Sequence, residues 1–215
     1  MTSWKPEEGT PQGAVISPLL SNLYLNELDH KMEELGHEMV RYADDLVILS
    51  RSREEAEEAL REVSKWTAEA GLKLHPEKTR IVDARQKKIG FDFLGYHFER
   101  GLKWPRTKSL KKLKDTIRVK TKRNNGRSLK VIIEDVNRTT RGWFEYFKQS
   151  HWTTFKPLDQ WIRRRLRTML RKRQHRRGQG KTMRDHIRWP NAYFAAQGLL
   201  TLEAAFAKAR QSSKR

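Results

Sequence analysis

Asp44 and Asp45 are adjacent carboxylates in the stretch VRYADDLVILS, residues 40–50, where they fall between two short runs of strand-forming residues. A carboxylate pair held on a rigid turn suits one chemistry in particular. Nucleotidyl transfer uses two divalent ions about 3.5 to 4 Å apart, and a hard ion such as Mg2+ takes carboxylate oxygens and substrate phosphates as ligands. The competing reading is a plain polar turn, because Asp is common wherever a hairpin reverses. Other side-chain chemistries are not indicated. The 7 histidines form no H-E-x-x-H and no i, i+4 pair, and there is no cysteine for a disulfide or a Cys-based zinc site. No Ser-His-Asp pattern or Gly-rich phosphate loop is evident.

A second set of residues points to a polyanion. Arg163, Arg164, Arg165, Arg167, Arg171 and Arg173 turn away from the apolar stripe Leu158, Ile162, Leu166, Met169 and Leu170 of one predicted helix. They have no interleaved acids to pair with, so phosphate contact explains them better than a solvated face. Lys108, Lys111, Lys112, Lys114, Arg118, Lys120, Lys122 and Arg123 form a second such surface. Trp143, Trp152 and Trp161 could stack on unpaired bases, but at helical spacing they read as core residues. The charge is segregated: residues 1–100 carry 14 Lys and Arg against 19 Asp and Glu, and residues 101–215 carry 32 against 7. A formal charge of +20 repels itself unless phosphate neutralises it, which makes nucleic acid the expected partner. No apolar run approaches the roughly 18 residues of a membrane span, so a cytoplasmic protein without membrane contact is expected.

The elements that must hold these residues follow from spacing. Ser17-Pro18 opens a helix carrying Leu20, Leu23, Tyr24 and Leu28, and Gly36-His37 ends it after about Leu35. Residues 39–42 and 46–49 read as a hairpin with Ala43-Asp44-Asp45 at its turn. Ser52 and Glu55 form a capping pattern ahead of Ala56, Ala59, Leu60, Val63 and Ala70, and Gly71 stops that helix. Residues 72–74, 80–82 and 91–98 are expected strands, which gives an antiparallel sheet with helices on one face. Beyond Trp104-Pro105 the pattern turns to long helices, and 174–181 reads as a basic, Gly-containing loop left mobile until it meets a partner. The fold class is therefore α+β, with a domain boundary placed at 103/104.

Tyr42-Ala43-Asp44-Asp45 resembles the Y-x-D-D box of reverse transcriptases, and other stretches follow in that family's order. Thr10-Pro11-Gln12-Gly13 with the segment Ile16 to Asn22 resembles the loop and helix of the nucleotide pocket. The segment Gly71 to Leu74 with Pro76-Glu77-Lys78-Thr79 is similar to the next palm motif, and Phe91 to Tyr96 to the hairpin that grips the primer end. RGWFEYF at 141–147, WIRRRL at 161–166 and GLLTL at 198–202 resemble the thumb, or maturase domain, of reverse transcriptases encoded in bacterial group II introns. The resemblance implies a partial palm followed by an all-α thumb. It implies Mg2+ at Asp44, with Asp45 assisting or holding the hairpin, and a deoxynucleoside triphosphate bordered by Gln12, Gly13 and Tyr42. It also implies that Lys78 protonates the pyrophosphate leaving group. The partners it implies are intron RNA, a template-primer and an N-terminal reverse-transcriptase half.

A complete enzyme of that family has a fingers region and an earlier palm strand that supplies another aspartate. Only Glu7 and Glu8 precede the pocket loop here, so little polymerase activity is expected of this chain by itself. A non-catalytic RNA-binding maturase fragment and a truncated remnant are the alternative readings.

Overall fold

A computed structural model of the chain describes residues 15–212, so Gln12 and Gly13 lie outside the described residues. The protein is α+β and divides into two compact units, Met1–Asp83 and Ala84–Arg215.

In the first unit, α1 (Ser17–Glu34) is followed by β1 (Glu38–Tyr42), β2 (Asp45–Leu49) and α2 (Arg53–Glu69). Pro18 sits in the first turn of α1, where a missing N–H costs no helix bond. Gly36 adopts φ +76°, a left-handed backbone that turns the chain into β1. β1 and β2 pair antiparallel from Glu38 opposite Leu49 to Tyr42 opposite Asp45, which leaves Ala43 and Asp44 as a two-residue loop. At the start of α2 the Ser52 hydroxyl accepts the Glu55 N–H at 3.1 Å, and the Glu55 carboxylate accepts the Arg51 N–H at 2.7 Å. Leu28 and Met32 of α1 pack with Ala59, Val63 and Trp66 of α2, over Met39, Leu46 and Ile48 of the hairpin. Of the four apolar residues expected on one face of α1 only Leu28 is buried; Leu20, Leu23 and Tyr24 are exposed. Tyr24 still ties α1 to the end of α2, its hydroxyl donating to the Ala70 carbonyl at 2.6 Å.

Two expected strands do not form. The Leu72 N–H returns to the Thr67 carbonyl at 2.7 Å, finishing α2, and residues 76–78 make a turn closed by the Thr79 N–H on the His75 carbonyl at 2.9 Å. Residues 80–82 are likewise not in a strand. A β-prone run becomes a strand only where a neighbouring backbone accepts its hydrogen bonds.

In the second unit the run 91–98 is divided by a Leu94-Gly95 turn into β3 (Phe91–Phe93) and β4 (Tyr96–Glu99), and an unforeseen β5 (Leu102–Pro105) completes an antiparallel sheet in the order β3-β4-β5. The helices are α3 (Thr107–Lys120), α4 (Leu129–Phe147), α5 (Phe155–Arg173), α6 (Met183–Arg188), α7 (Asn191–Ala196) and α8 (Leu202–Ser212). Their core gathers Ile117, Ile132, Val136, Phe144, Phe155, Ile162, Leu166, Met169, Phe194 and Leu202. The small sheet leans on the end of α4: Tyr96 lies against Phe147 with ring centroids 5.0 Å apart, and the Tyr146 hydroxyl donates to the Leu94 carbonyl at 2.7 Å. Burial in this packing raises the Tyr96 phenol above its ordinary pKa. The sheet therefore folds with the helices, which is why compactness divides the chain at 83/84 although its motifs change character near 103/104. In place of the one antiparallel sheet expected ahead of the helices, the described residues form two small ones, one in each unit.

Candidate active site and nucleic-acid surface

The hairpin β1–β2 presents the acid pair in the open. Tyr42, Asp44 and Asp45 are all exposed, and neither carboxylate is engaged by another described residue. Asp44 occupies the second loop position and Asp45 the first position of β2. Ala43, between Tyr42 and Asp44, has φ +54°. Such a backbone costs a non-glycine residue on the order of 1 kcal/mol, so something must hold it. Arg41 does. Its Nη1 donates to the Ala43 carbonyl at 2.9 Å and to Asn22 Oδ1 at 3.0 Å, and its Nε donates to Asp29 Oδ1 at 2.7 Å. Nη2 takes the other Asp29 oxygen, making the pair bidentate, and the side chain is only 9% exposed. The bond to Asp29 holds the Arg41 pKa above its ordinary value. No motif singles out Arg41, although a cation in a strand flanked by Val40 and Tyr42 is a signal that it has a partner.

Hard oxygen donors on a fixed, accessible turn fit a divalent ion, and two of them supply only part of the coordination shell that such an ion takes. Among the described residues no group of three or more His, Cys, Asp or Glu side chains is placed to hold a metal. Lys78 is exposed on the turn that follows His75, without a side-chain hydrogen bond among the described residues.

The arginines of α5 divide into two groups, contrary to the uniform phosphate-binding face expected of them. Arg167 is 2% exposed and donates to the Trp189 carbonyl at 2.9 Å and Asn191 Oδ1 at 3.0 Å. Arg165 donates to the Thr121 carbonyl at 3.0 Å and the Thr121 hydroxyl at 3.1 Å, closing the C-terminus of α3. Arg173 donates to the Asn125 carbonyl at 3.1 Å and to that of Arg127, pinning the turn between α3 and α4. Arg171 pairs with Asp185 at 2.6 Å and donates to the Arg177 carbonyl at 3.0 Å. Four of the six guanidiniums thus close helix ends and loops inside the unit. Helix ends leave carbonyls without partners, and arginine satisfies several of them at once.

Arg163 and Arg164 remain without such bonds among the described residues, and on α3 Lys111, Lys112 and Arg118 are exposed with Lys114 half-buried. Lys114 and Arg118 lie over the Trp161 ring, 6.0 and 5.6 Å from its centroid, joining α3 and α5 in one basic face. Arg118 is shared with Asp115. Burial, and then the like charges of Arg118, Arg123 and Arg164, disfavour the charged form of Arg165 and lower its pKa.

The loop 174–181, expected to be mobile, is tied to α5 by hydrogen bonds. The Thr168 hydroxyl donates to the Gln179 carbonyl at 2.6 Å and the Arg176 N–H to the Arg171 carbonyl at 2.9 Å. The GLLTL stretch is a joint between helices. Asn137 of α4 donates to the Gly198 carbonyl at 2.7 Å and accepts the Leu200 N–H at 2.8 Å, while buried Asp159 of α5 accepts the Leu202 and Glu203 N–H groups at 2.9 and 3.0 Å. Burial raises the Asp159 carboxyl above its ordinary pKa against the pull of those two bonds.

Comparison with known proteins agrees with this division of labour. Residues 3–98 match the reverse transcriptase (RNA-dependent DNA polymerase) family, and residues 110–189 match the group II intron, maturase-specific domain. Protein YkfC of Escherichia coli (strain K12) is 33% identical over a stretch covering 43% of this chain and 33% of that protein. The retrovirus-related Pol polyprotein from type-1 retrotransposable element R1 of Nasonia vitripennis is 36% identical over 37% of this chain and 25% of its own length. The chain thus spans a third or less of the curated relatives it matches. Reverse transcriptases work with a divalent metal ion and the two families with nucleic acid, and no helix among the described residues is long and apolar enough to cross a membrane. With a Y-x-D-D turn in the first match and the basic helices in the second, the chain belongs to the group II intron reverse transcriptase and maturase family.

Proposed function

We propose that this chain contributes the Mg2+-binding turn of RNA-directed DNA polymerisation together with a helical domain that binds group II intron RNA and aids its splicing and mobility. The reading is carried by the pair Asp44 and Asp45, exposed and unengaged on a turn held in a strained backbone, in a chain whose second half is strongly basic. Asp44 is the principal metal ligand; Asp45 takes the second position or steadies the hairpin. A Mg2+ ion bound there supplies Lewis-acid stabilisation of the phosphoryl oxygens. Tyr42, with Gln12 and Gly13, borders the incoming deoxynucleoside triphosphate, and Lys78 donates a proton to the departing pyrophosphate. Lys111, Lys112, Lys114, Arg118, Arg163 and Arg164 hold RNA phosphates, a narrower set than the charge pattern suggested. Functionally the palm is assigned to 1–103 and the maturase domain to 104–215.

Primer extension on an RNA template with Mg2+ tests the reading, run with and without an N-terminal reverse-transcriptase half added in trans. Asp44→Asn is expected to abolish synthesis and leave RNA binding intact. Equal loss of both would make the hairpin structural. The donor count at the turn favours a second reading, RNA binding without polymerisation. Synthesis in neither arm, with RNA still bound tightly, would establish that one.

A further inference from the structure

The peptide between Ala43 and Asp44 is planar, so the direction of the Ala43 carbonyl fixes the Asp44 N–H and the point from which the Asp44 side chain departs. That carbonyl is held by one group only among the described residues, the Arg41 guanidinium, at 2.9 Å. The same guanidinium is anchored on α1 at two places seven residues apart, Asn22 and Asp29. α1 therefore reaches the acid turn through a single side chain, itself almost wholly buried, while the carboxylates it stands behind remain open. We propose that Arg41 is the positioning residue of this turn, locking the Ala43–Asp44 peptide against α1 so that the Asp44 carboxylate meets a divalent ion in one fixed orientation. The inference rests on the reading of the turn as metal-binding and adds a residue that touches neither metal nor nucleotide.

The geometry requires arginine. Lysine offers a single point donor, which can keep the Asp29 pair but cannot also span to the Ala43 carbonyl and Asn22. Loss of the carbonyl bond releases a turn whose φ of +54° has little intrinsic preference for that conformation.

The test uses the full chain, Mn2+ as the probe and electron paramagnetic resonance of the free ion as the readout, with thermal melting in parallel. Asp44→Asn first establishes whether Mn2+ binds at the turn; unchanged binding in that variant would overturn the metal reading and this proposal together. With that control in place, Arg41→Lys is expected to melt cooperatively close to the parent and to bind Mn2+ about tenfold more weakly, the usual size of effect for a group that orients a ligand. Arg41→Ala is expected to lose as much or more and to recover when millimolar guanidinium ion is added, which a general loss of folding would not do. Folded Arg41→Lys that binds Mn2+ as tightly as the parent overturns the proposal while leaving the metal reading intact.

Discussion

Asp185 is the only carboxylate between Asp159 and Glu203, in a stretch crowded with arginine, and it is buried. Burial pushes its carboxyl up, but the hydrogen bonds from the Thr182 hydroxyl, the Arg171 guanidinium and the Thr182 backbone together outweigh this and hold it below the ordinary carboxylate range. The folded state therefore takes up this proton less readily than the unfolded chain does. The stability that Asp185 contributes is complete above the unfolded pKa of about 4 and is lost as pH falls through the lower folded value. Melting temperature followed by circular dichroism should drop as pH is lowered below about 4, and Asp185→Asn should flatten part of that slope. Arg167 makes the complementary case. Replacing it with alanine leaves the Trp189 carbonyl buried without its donor, a loss of roughly 1 to 3 kcal/mol readable by urea denaturation.

At the level of elements, the basic loop after α5 is shaped by close approach of backbone to backbone. Gly180 has φ +65°, and a Cβ there would stand 2.8 Å from both the Arg167 Cβ and the Thr168 N. Gly180→Ala should therefore destabilise the second unit by about 1 to 3 kcal/mol and expose the loop to proteolysis, whereas Gly126→Ala, where a Cβ meets nothing within 4 Å, should be nearly neutral. Limited trypsin digestion distinguishes the two, because the loop is rich in lysine and arginine.

For the whole molecule the decisive quantity is charge, and part of it holds the fold together. RNA affinity should fall steeply with salt as bound counterions are released. Single alanine substitutions at Lys111, Lys112, Arg163 or Arg164 should each lower the log–log salt slope by about one. Arg173→Ala should instead lower the melting temperature by freeing the α3–α4 turn, with little change in that slope. Filter binding across a salt series, beside melting curves, checks both; a uniform effect of all these arginines on the slope would mean that the internal hydrogen bonds give way to RNA.

The hairpin with its acid turn, α2 with its Ser52 cap and Gly71 stop, and the apolar stripe of α5 were legible in the sequence, because each depends on residues near one another along the chain. Local spacing also exposed the motifs that place the protein in its family. The fate of residues 72–74 and 80–82 was not legible, since a strand needs a partner edge. Nor was the use of Arg165, Arg167, Arg171 and Arg173, each of which donates to at least one backbone carbonyl, a group that any residue carries and that sequence therefore does not mark. Arg41 belongs with them: its link between α1 and the Asp44 peptide exists only once helix and hairpin are packed, and tertiary structure alone decided which cations face outward and which hold the fold together.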